Sequence, residues 1–300
     1  MTRPNFFIIG APKSGTTAMA GYLGDHPGIH FCEPKEPGFF ATDFPGQQLV
    51  ASEADYLALF AGGAGEETAV GEGTVWYLYS QEALANIRAF DPGARIIVML
   101  RNPVEQVYSM HQELYHRRYE TEADFTRAWA LQESRRNGQN IPKYCKAAAF
   151  LQYGRIASYA GQVERLFQVF PRDQVSIVIF DDFKTDTGAA YRELLAFLGL
   201  PDDGRAEFRP ALESRRHRLH WLGTFLINQP AGLVRVKSRV KQLLGIKQLR
   251  VREMVAKYNT VVEKRAPLPP AFRAELQDYF RADVAKLSQL LDRDLTGWCR

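Results

Sequence analysis

Phe6–Leu23 reads FFIIGAPKSGTTAMAGYL, and this stretch decides the fold. Phe6 to Ile9 is a short apolar, partly β-branched run bounded by Gly10, the pattern of a buried strand. Gly10 to Gly15 is a tight loop with two glycines, one proline and one lysine, Lys13. From Thr16 onward, Ala18, Met19, Ala20, Tyr22 and Leu23 predict a helix that opens on two threonines. Strand, glycine loop and helix N-terminus together form an anion site, because free backbone N–H groups and the positive dipole end meet there.

Spacing separates two kinds of phosphate loop. Gly10 and Gly15 keep the G-x-x-x-x-G interval of nucleotide triphosphatases, and Thr17 stands where that motif has Ser or Thr. The lysine due after the second glycine is absent, since Thr16 occupies its place. Lys13 lies mid-loop, too far back to reach a γ-phosphate by the usual path. The loop therefore reads as an anion site for a donor other than ATP or GTP.

Working outward, alternating strands and helices predict a doubly wound parallel sheet flanked by helices. Strands are expected at 68–71, 95–100 and 175–180, and helices at 52–62, 81–90, 104–118, 147–170, 188–198 and 272–291. The domain expected is a single one over 1–300, an α/β core over 1–205 and a helical, basic subregion over 206–300. The section from Ser214 to Arg252 has ten Lys or Arg and no Asp or Glu. It reads as a lid over an anionic ligand, a patch for an acidic partner or anionic surface, or a solvated helix pair. A net charge of +4 is too mild to make the whole molecule a nucleic-acid binder. Three cysteines without C-x-x-C spacing suit a reducing compartment and give no zinc site. The first strand begins by residue 6 with no charged leader, and no run nears the ~20 apolar residues of a membrane span, so a cytoplasmic protein is expected.

Chemistry-bearing residues cluster early. Cys32-Glu-Pro-Lys-Glu-Pro-Gly-Phe-Phe40 holds too many prolines and charges for a helix or central strand, so it is a stiff loop presenting Glu33 and Glu36 and anchored by Phe39 and Phe40. Glu72 is expected just past a strand end, on the rim where open sheets bind ligands, which makes it a candidate catalytic base beside Glu36. Arg101 leaves the most apolar strand and Ser109 follows two turns down the next helix, a fork and a hydroxyl suited to phosphate. The six histidines are scattered, and His111 is a conceivable base on that same helix.

The chain resembles the sulfotransferases that use 3′-phosphoadenosine 5′-phosphosulfate (PAPS), in particular bacterial members related to the heparan sulfate branch. APKSGTT after the first strand, KEPGFF in the next loop, IIVMLRNPVEQVYS and the Leu-Pro-Pro to Trp298 tail carry the resemblance. It implies that Lys13, Ser14, Gly15, Thr16 and Thr17 bind the 5′-phosphosulfate and that Arg101 and Ser109 hold the 3′-phosphate. It also implies that Glu36 is the base toward a hydroxyl-bearing acceptor (a carbohydrate, a lipid-linked or a small molecule), that PAP is the product, and that no metal is required. Arg215 or Arg216 would lie in its nucleotide-contacting loop. One departure is clear: the branch carries a lysine directly after the strand glutamate, and this chain has Gly73 after Glu72. Lys13 is then the main group for the leaving phosphate. Two other readings compete. A small-molecule kinase with a P-loop is disfavoured by Thr16, and a non-enzymatic nucleotide- or membrane-binding module would rest on the basic segment.

Overall fold

The computed structural model describes residues 2–44, 46–61, 68–208, 215–217, 260–262 and 266–300. Five strands, β1 (Phe6–Gly10), β2 (Ile29–Phe31), β3 (Ala69–Gly73), β4 (Arg95–Leu100) and β5 (Val175–Ile179), form one parallel sheet in the order β2-β3-β1-β4-β5. The first helices are α1 (Thr16–Gly24), α2 (Glu53–Ala58), α3 (Ala83–Phe90), α4 (Pro103–His116), α5 (Phe125–Ala130) and α6 (Gln132–Arg136). After them come α7 (Tyr153–Ala157), α8 (Ala160–Val169), α9 (Phe180–Thr185), α10 (Thr187–Leu198) and α11 (Pro270–Leu291).

The two strands at the centre are buried on both faces, which is why they read as unbroken apolar runs rather than alternating ones. Phe7 and Ile9 of β1 join Ile96, Val98 and Leu100 of β4 in the core shared with α3, α4, α8 and α11. Phe6 and Ile8 join Ile97 and Met99 in the opposite core, beneath α1 and α10. That period of two is what a strand must show. Gly71 in β3 is required by packing, because a Cβ there would lie 2.2 Å from the Phe6 ring. β1 sits between β3 and β4, so the chain winds one way to reach β2 and β3 and the other way to reach β4 and β5. The carboxyl ends of β1 and β4 therefore flank the switch point, where open α/β sheets bind ligands.

Besides β2, α5 and α6, which the sequence reading did not expect, two elements that it did expect differ. Residues 147–170 do not form one helix: a 3-10 turn, α7 and α8 are separated at Ser158 and Tyr159. The break is set from far along the chain, where Asp283 of α11 accepts from the Tyr159 and Ala160 N–H groups (2.7 and 3.2 Å) and caps α8. Glu72 lies inside β3, opposite Phe7 of β1, not past its end.

The chain divides into two compact units, Met1–Arg209 with Leu268–Arg300, and Pro210–Pro267. The tail belongs to the first because Phe272, Leu276, Phe280, Val284 and Leu287 make one buried stripe along α11. In the second unit β6 (Arg215–His217) pairs antiparallel with β7 (Thr260–Val262). The remainder of the basic Ser214–Arg252 stretch lies outside the described residues. Among the described residues no helix is long and apolar enough to cross a membrane.

Candidate active site

The loop between β1 and α1 is held through its own backbone groups. Ala11 N–H donates to Met99 O of β4 (2.7 Å), Gln106 of α4 donates to Pro12 O (3.0 Å), and Arg101 donates to Lys13 O (3.2 Å). Gly15 occupies the N-cap of α1 in the left-handed region (φ 89°), with no side chain to cap the helix. An added Cβ would lie 3.1 Å from the rings of Phe180 and Phe183, so glycine is dictated by both conformation and space. The positive end of α1 is thus left to the loop, with Thr16 buried and Thr17 exposed at its start. Ser14 is fully buried and its hydroxyl has no hydrogen-bond partner. The buried Tyr159 hydroxyl lies within interacting distance of the Ser14 hydroxyl and the Arg101 backbone, but neither contact has the alignment of a good hydrogen bond. Polar atoms buried without partners are costly unless a ligand supplies them.

α4 is the backing of this loop. Gln106, Ser109 and Glu113 recur at three- and four-residue intervals and so share one helical face. Gln106 reaches Pro12, and the Glu113 carboxylate lies 3.1 Å from Lys13 Nζ, which places buried Ser109 between two residues that touch the loop. Burial pushes the Glu113 carboxyl up, but Lys13 and Arg117 outweigh it and hold it below the usual carboxylate range. Arg101 follows β4 at once, with its guanidinium over the Phe180 ring at 4.7 Å from the centroid. Burial pulls it below the ordinary arginine value against the carboxylates of Glu105 and Asp181. Asn102 caps α4, and its Nδ2 also donates to Trp298 O, so the tail closes on this corner.

Glu36 enters from the other side. Its N–H donates to Gly73 O (3.1 Å), its φ of 66° is left-handed like that of Lys13 (63°), and its Oε1 pairs with Lys35 Nζ at 3.1 Å. Left-handed backbone at non-glycine residues is uncommon and gathers at functional sites. Partial desolvation pulls the Arg117 guanidinium down, and Glu113 and then Glu36 more than offset it. Lys13, Glu113, Arg117, Glu36 and Lys35 therefore form one charged rim. Gly73 leaves room that Lys35 takes: its Cε lies 3.2 Å from where a Cβ on Gly73 would sit. A lysine thus stands beside that position although none follows Glu72 in sequence.

Glu72 is not on that rim. It is fully buried and accepts from Tyr56 OH (2.6 Å), Thr74 Oγ1 (2.6 Å) and Tyr77 OH (3.2 Å), and its burial pushes it up to about 7. Glu33 is exposed beside Cys32, and His111 is buried with Nε2 against Glu122 O at 2.8 Å. Of Arg215 and Arg216 the structure gives their β6 pairing with Val262 and Val261. Among the described residues no group of three or more His, Cys, Asp or Glu is arranged to hold a metal. Gln106, Glu113, Arg117 and Tyr159 escaped the sequence reading. The first two were legible only as the face of α4 shared with Ser109.

Fold and site define a parallel α/β protein with a glycine loop at the switch point and a charged rim beside it. A profile described as Sulfotransferase domain matches residues 78–219, which include Arg101 and Ser109. Human bifunctional heparan sulfate N-deacetylase/N-sulfotransferase 3 is 26% identical over 305 residues, covering 99% of this chain and 31% of that protein. Human carbohydrate sulfotransferase 15 is 32% identical over 147 residues, 35% of this chain and 26% of that protein. The chain thus spans about a third or less of the curated relatives it matches. The crystal structure of a sulfotransferase from Alicyclobacillus acidocaldarius superposes with a TM-score of 0.73 at 28% identity, over 100% of both chains. Over its whole length the chain is similar to sulfotransferases, and the profile match covers just under half of it.

Proposed function

We propose that this protein moves the sulfuryl group of PAPS to a hydroxyl of a carbohydrate, lipid-linked or small acceptor, in a reducing, cytoplasmic setting that suits its three free thiols. The acceptor oxygen attacks sulfur in line, its proton passes to Glu36, and the bond from sulfur to the bridging phosphate oxygen breaks. The electron pair leaves with PAP. Backbone N–H groups at Gly15–Thr17, the Ser14 hydroxyl and Lys13 neutralise charge on the 5′ side, and Arg101 with Ser109 takes the 3′-phosphate. The transferred SO3 carries less charge than a phosphoryl group, so these donors suffice without a metal step.

The observation that carries this reading is the meeting of two loops over α4. Lys13 from the donor loop pairs with Glu113, Glu113 with Arg117, and Arg117 lies within electrostatic reach of Glu36. A base and a leaving-group cation on opposite sides of one rim are what in-line transfer needs. Glu36, partly exposed, is favoured over Glu72, whose two oxygens are occupied by three hydroxyl donors inside the core.

The test uses radiolabelled PAPS with a panel of hexose glycosides and phenols, then the best acceptor of that panel. Glu36→Gln keeps the shape but removes the proton acceptor. It should lower turnover by about 10²–10⁴-fold and leave PAP affinity within a few-fold. An active Glu36→Gln beside a dead Glu72→Gln would move the base to Glu72. Transfer to no member of the panel, with tight PAP binding absent as well, would sink the donor assignment.

A further inference from the structure

Glu72 is the one fully buried carboxylate beside the rim that the proposed chemistry does not use, and its three partners are all O–H groups. Two of those hydroxyls have a second duty. Thr74 Oγ1 accepts from Gly38 N–H at 3.2 Å, and Tyr77 OH accepts from Phe40 N–H at 3.3 Å. The third partner, Tyr56, stacks on Phe39 with ring centroids 4.5 Å apart and meets Phe40 edge-on at 5.2 Å. All of these contacts fall on the segment immediately after Glu36, whose own N–H is tied to Gly73 O.

A hydroxyl has one proton and can point it only one way. An ionised carboxylate only accepts, so Glu72 draws the protons of Thr74 and Tyr77 toward itself and turns their lone pairs to the loop. Two relays result: Gly38 N–H to Thr74 to Glu72, and Phe40 N–H to Tyr77 to Glu72. Each of the five donors (three hydroxyls and two amides) thus finds an acceptor. A proton on Glu72, or an amide in its place, adds a donor and removes an acceptor. Unless Tyr56, which bonds no loop amide, takes that donor, a hydroxyl of one relay loses the partner that fixes its direction.

We propose that Glu72 is a positioning residue for Glu36, fixing the direction of the two hydroxyl relays that pin the loop from Glu36 to Phe40 against the end of β3. The inference rests on the reading of Glu36 as the base, since only then does loop placement govern turnover. A displacement near 1 Å in a catalytic group is enough to cost up to about 10²-fold.

The first readout is independent of any acceptor: amide hydrogen exchange in the full chain. Glu72→Gln places an NH2 where one relay needs an acceptor, so exchange at Gly38 or Phe40 should quicken about tenfold, the scale of one lost hydrogen bond. Ile97 and Val98, central in β4, should be unchanged. Thr74→Val serves if Glu72→Gln does not fold, and should expose Gly38 alone. Protection unchanged at both loop amides, or lost throughout the sheet, overturns the inference. The second readout is turnover with the panel acceptor. Thr74→Val should lower kcat about tenfold with the Kd for PAP within twofold, and should add less than twofold to the loss already caused by Glu36→Gln. Losses that multiply in Glu36→Gln/Thr74→Val overturn the positioning role while leaving Glu36 as base. A fully active Glu36→Gln overturns the base itself, whatever the exchange data show.

Discussion

At the scale of single residues, the proposed donor would have to compete with Glu113 for Lys13. Their 3.1 Å contact joins side chains that are each about a third exposed, 31% in both cases. Pairs of that kind are worth only about 0.2–1 kcal/mol, so a polyanionic donor can outbid Glu113 for the ammonium. Two outcomes follow from the sign of that competition. Lys13→Ala should lower turnover by about 10²–10³-fold, the usual loss when a charge-stabilising contact to a leaving group goes. Glu113→Gln should do the reverse to binding: with its counter-ion neutralised, Lys13 is freer for the donor, and PAP should bind about 1.5- to 5-fold more tightly. Calorimetry at low salt reads both variants, and adding Lys13→Ala should erase the gain. Weaker PAP binding by Glu113→Gln would instead make Glu113 a support of the loop. The donor loop was legible in sequence because its signal is local: a glycine interval, one lysine and two threonines within eight positions. Glu113 was not, because nothing about a glutamate in a helix says which loop faces it. Glu72 was misplaced for the same reason. Its neighbours Tyr56, Thr74 and Tyr77 come together only once β3 is paired with β1.

Among the elements, α4 carries the most, since it backs the donor loop through Gln106 and Glu113 and opens beside Arg101. Its far end is pinned by an ion pair inside the core. Arg135 of α6 meets Glu120 through both nitrogens (2.6 and 2.7 Å), Tyr153 of α7 adds a third bond at 2.7 Å, and both charged side chains are within 1% of complete burial. Burial pushes the Glu120 carboxyl up, yet Arg135 and the backbone bonds hold it below its ordinary value. Removing one partner strands the other charge in the interior. Arg135→Ala should therefore destabilise the protein by about 3–5 kcal/mol, read as a shift in urea midpoint at neutral pH. A loss under about 1 kcal/mol would mean that water reaches Glu120 and the pair is ornamental. The pattern of local strands and helices was readable wherever apolar periodicity alone decides it. The break at Ser158 was not, because its cause is Asp283, more than a hundred residues later and on a helix of its own. Side chains that cap distant helices leave no mark on the periodicity of the helix they interrupt.

Across the whole molecule, the loop from Glu36 to Phe40 is contacted by the hydroxyl partners of a residue whose charged form burdens the fold. Burial pushes Glu72 from an ordinary 4.5 up to about 7, against the hydrogen bonds of Thr74, Tyr56 and Tyr77 and the nearby Lys35 ammonium. Cys32, the remaining titratable neighbour, is itself pushed up to about 12 by burial, Glu72 and Glu33, so it stays a neutral thiol and offers Glu72 no charge of opposite sign. A carboxyl whose folded value exceeds its unfolded one binds its proton more tightly in the native state. Its contribution to stability is present in full below about 4.5 and is lost as pH rises through 7. A rise from 4.5 to about 7 corresponds to at most about 3.5 kcal/mol, of which roughly 2–3 kcal/mol falls between about pH 5 and about pH 8. Glu72→Gln cannot titrate there, and every other ionisable group is common to both proteins. Urea unfolding of wild type and variant at about pH 5 and about pH 8 should therefore show wild type losing up to about 2–3 kcal/mol relative to the variant as pH rises. A change of the opposite sign would mean that the three hydroxyls and Lys35 overcome desolvation and that the carboxylate is native in its charged form throughout. In the expected case, the ionised form that orders the loop around Glu36 is also the form the core resists. Stability and loop order would then pull in opposite directions across neutral pH, as strained groups at functional sites commonly do.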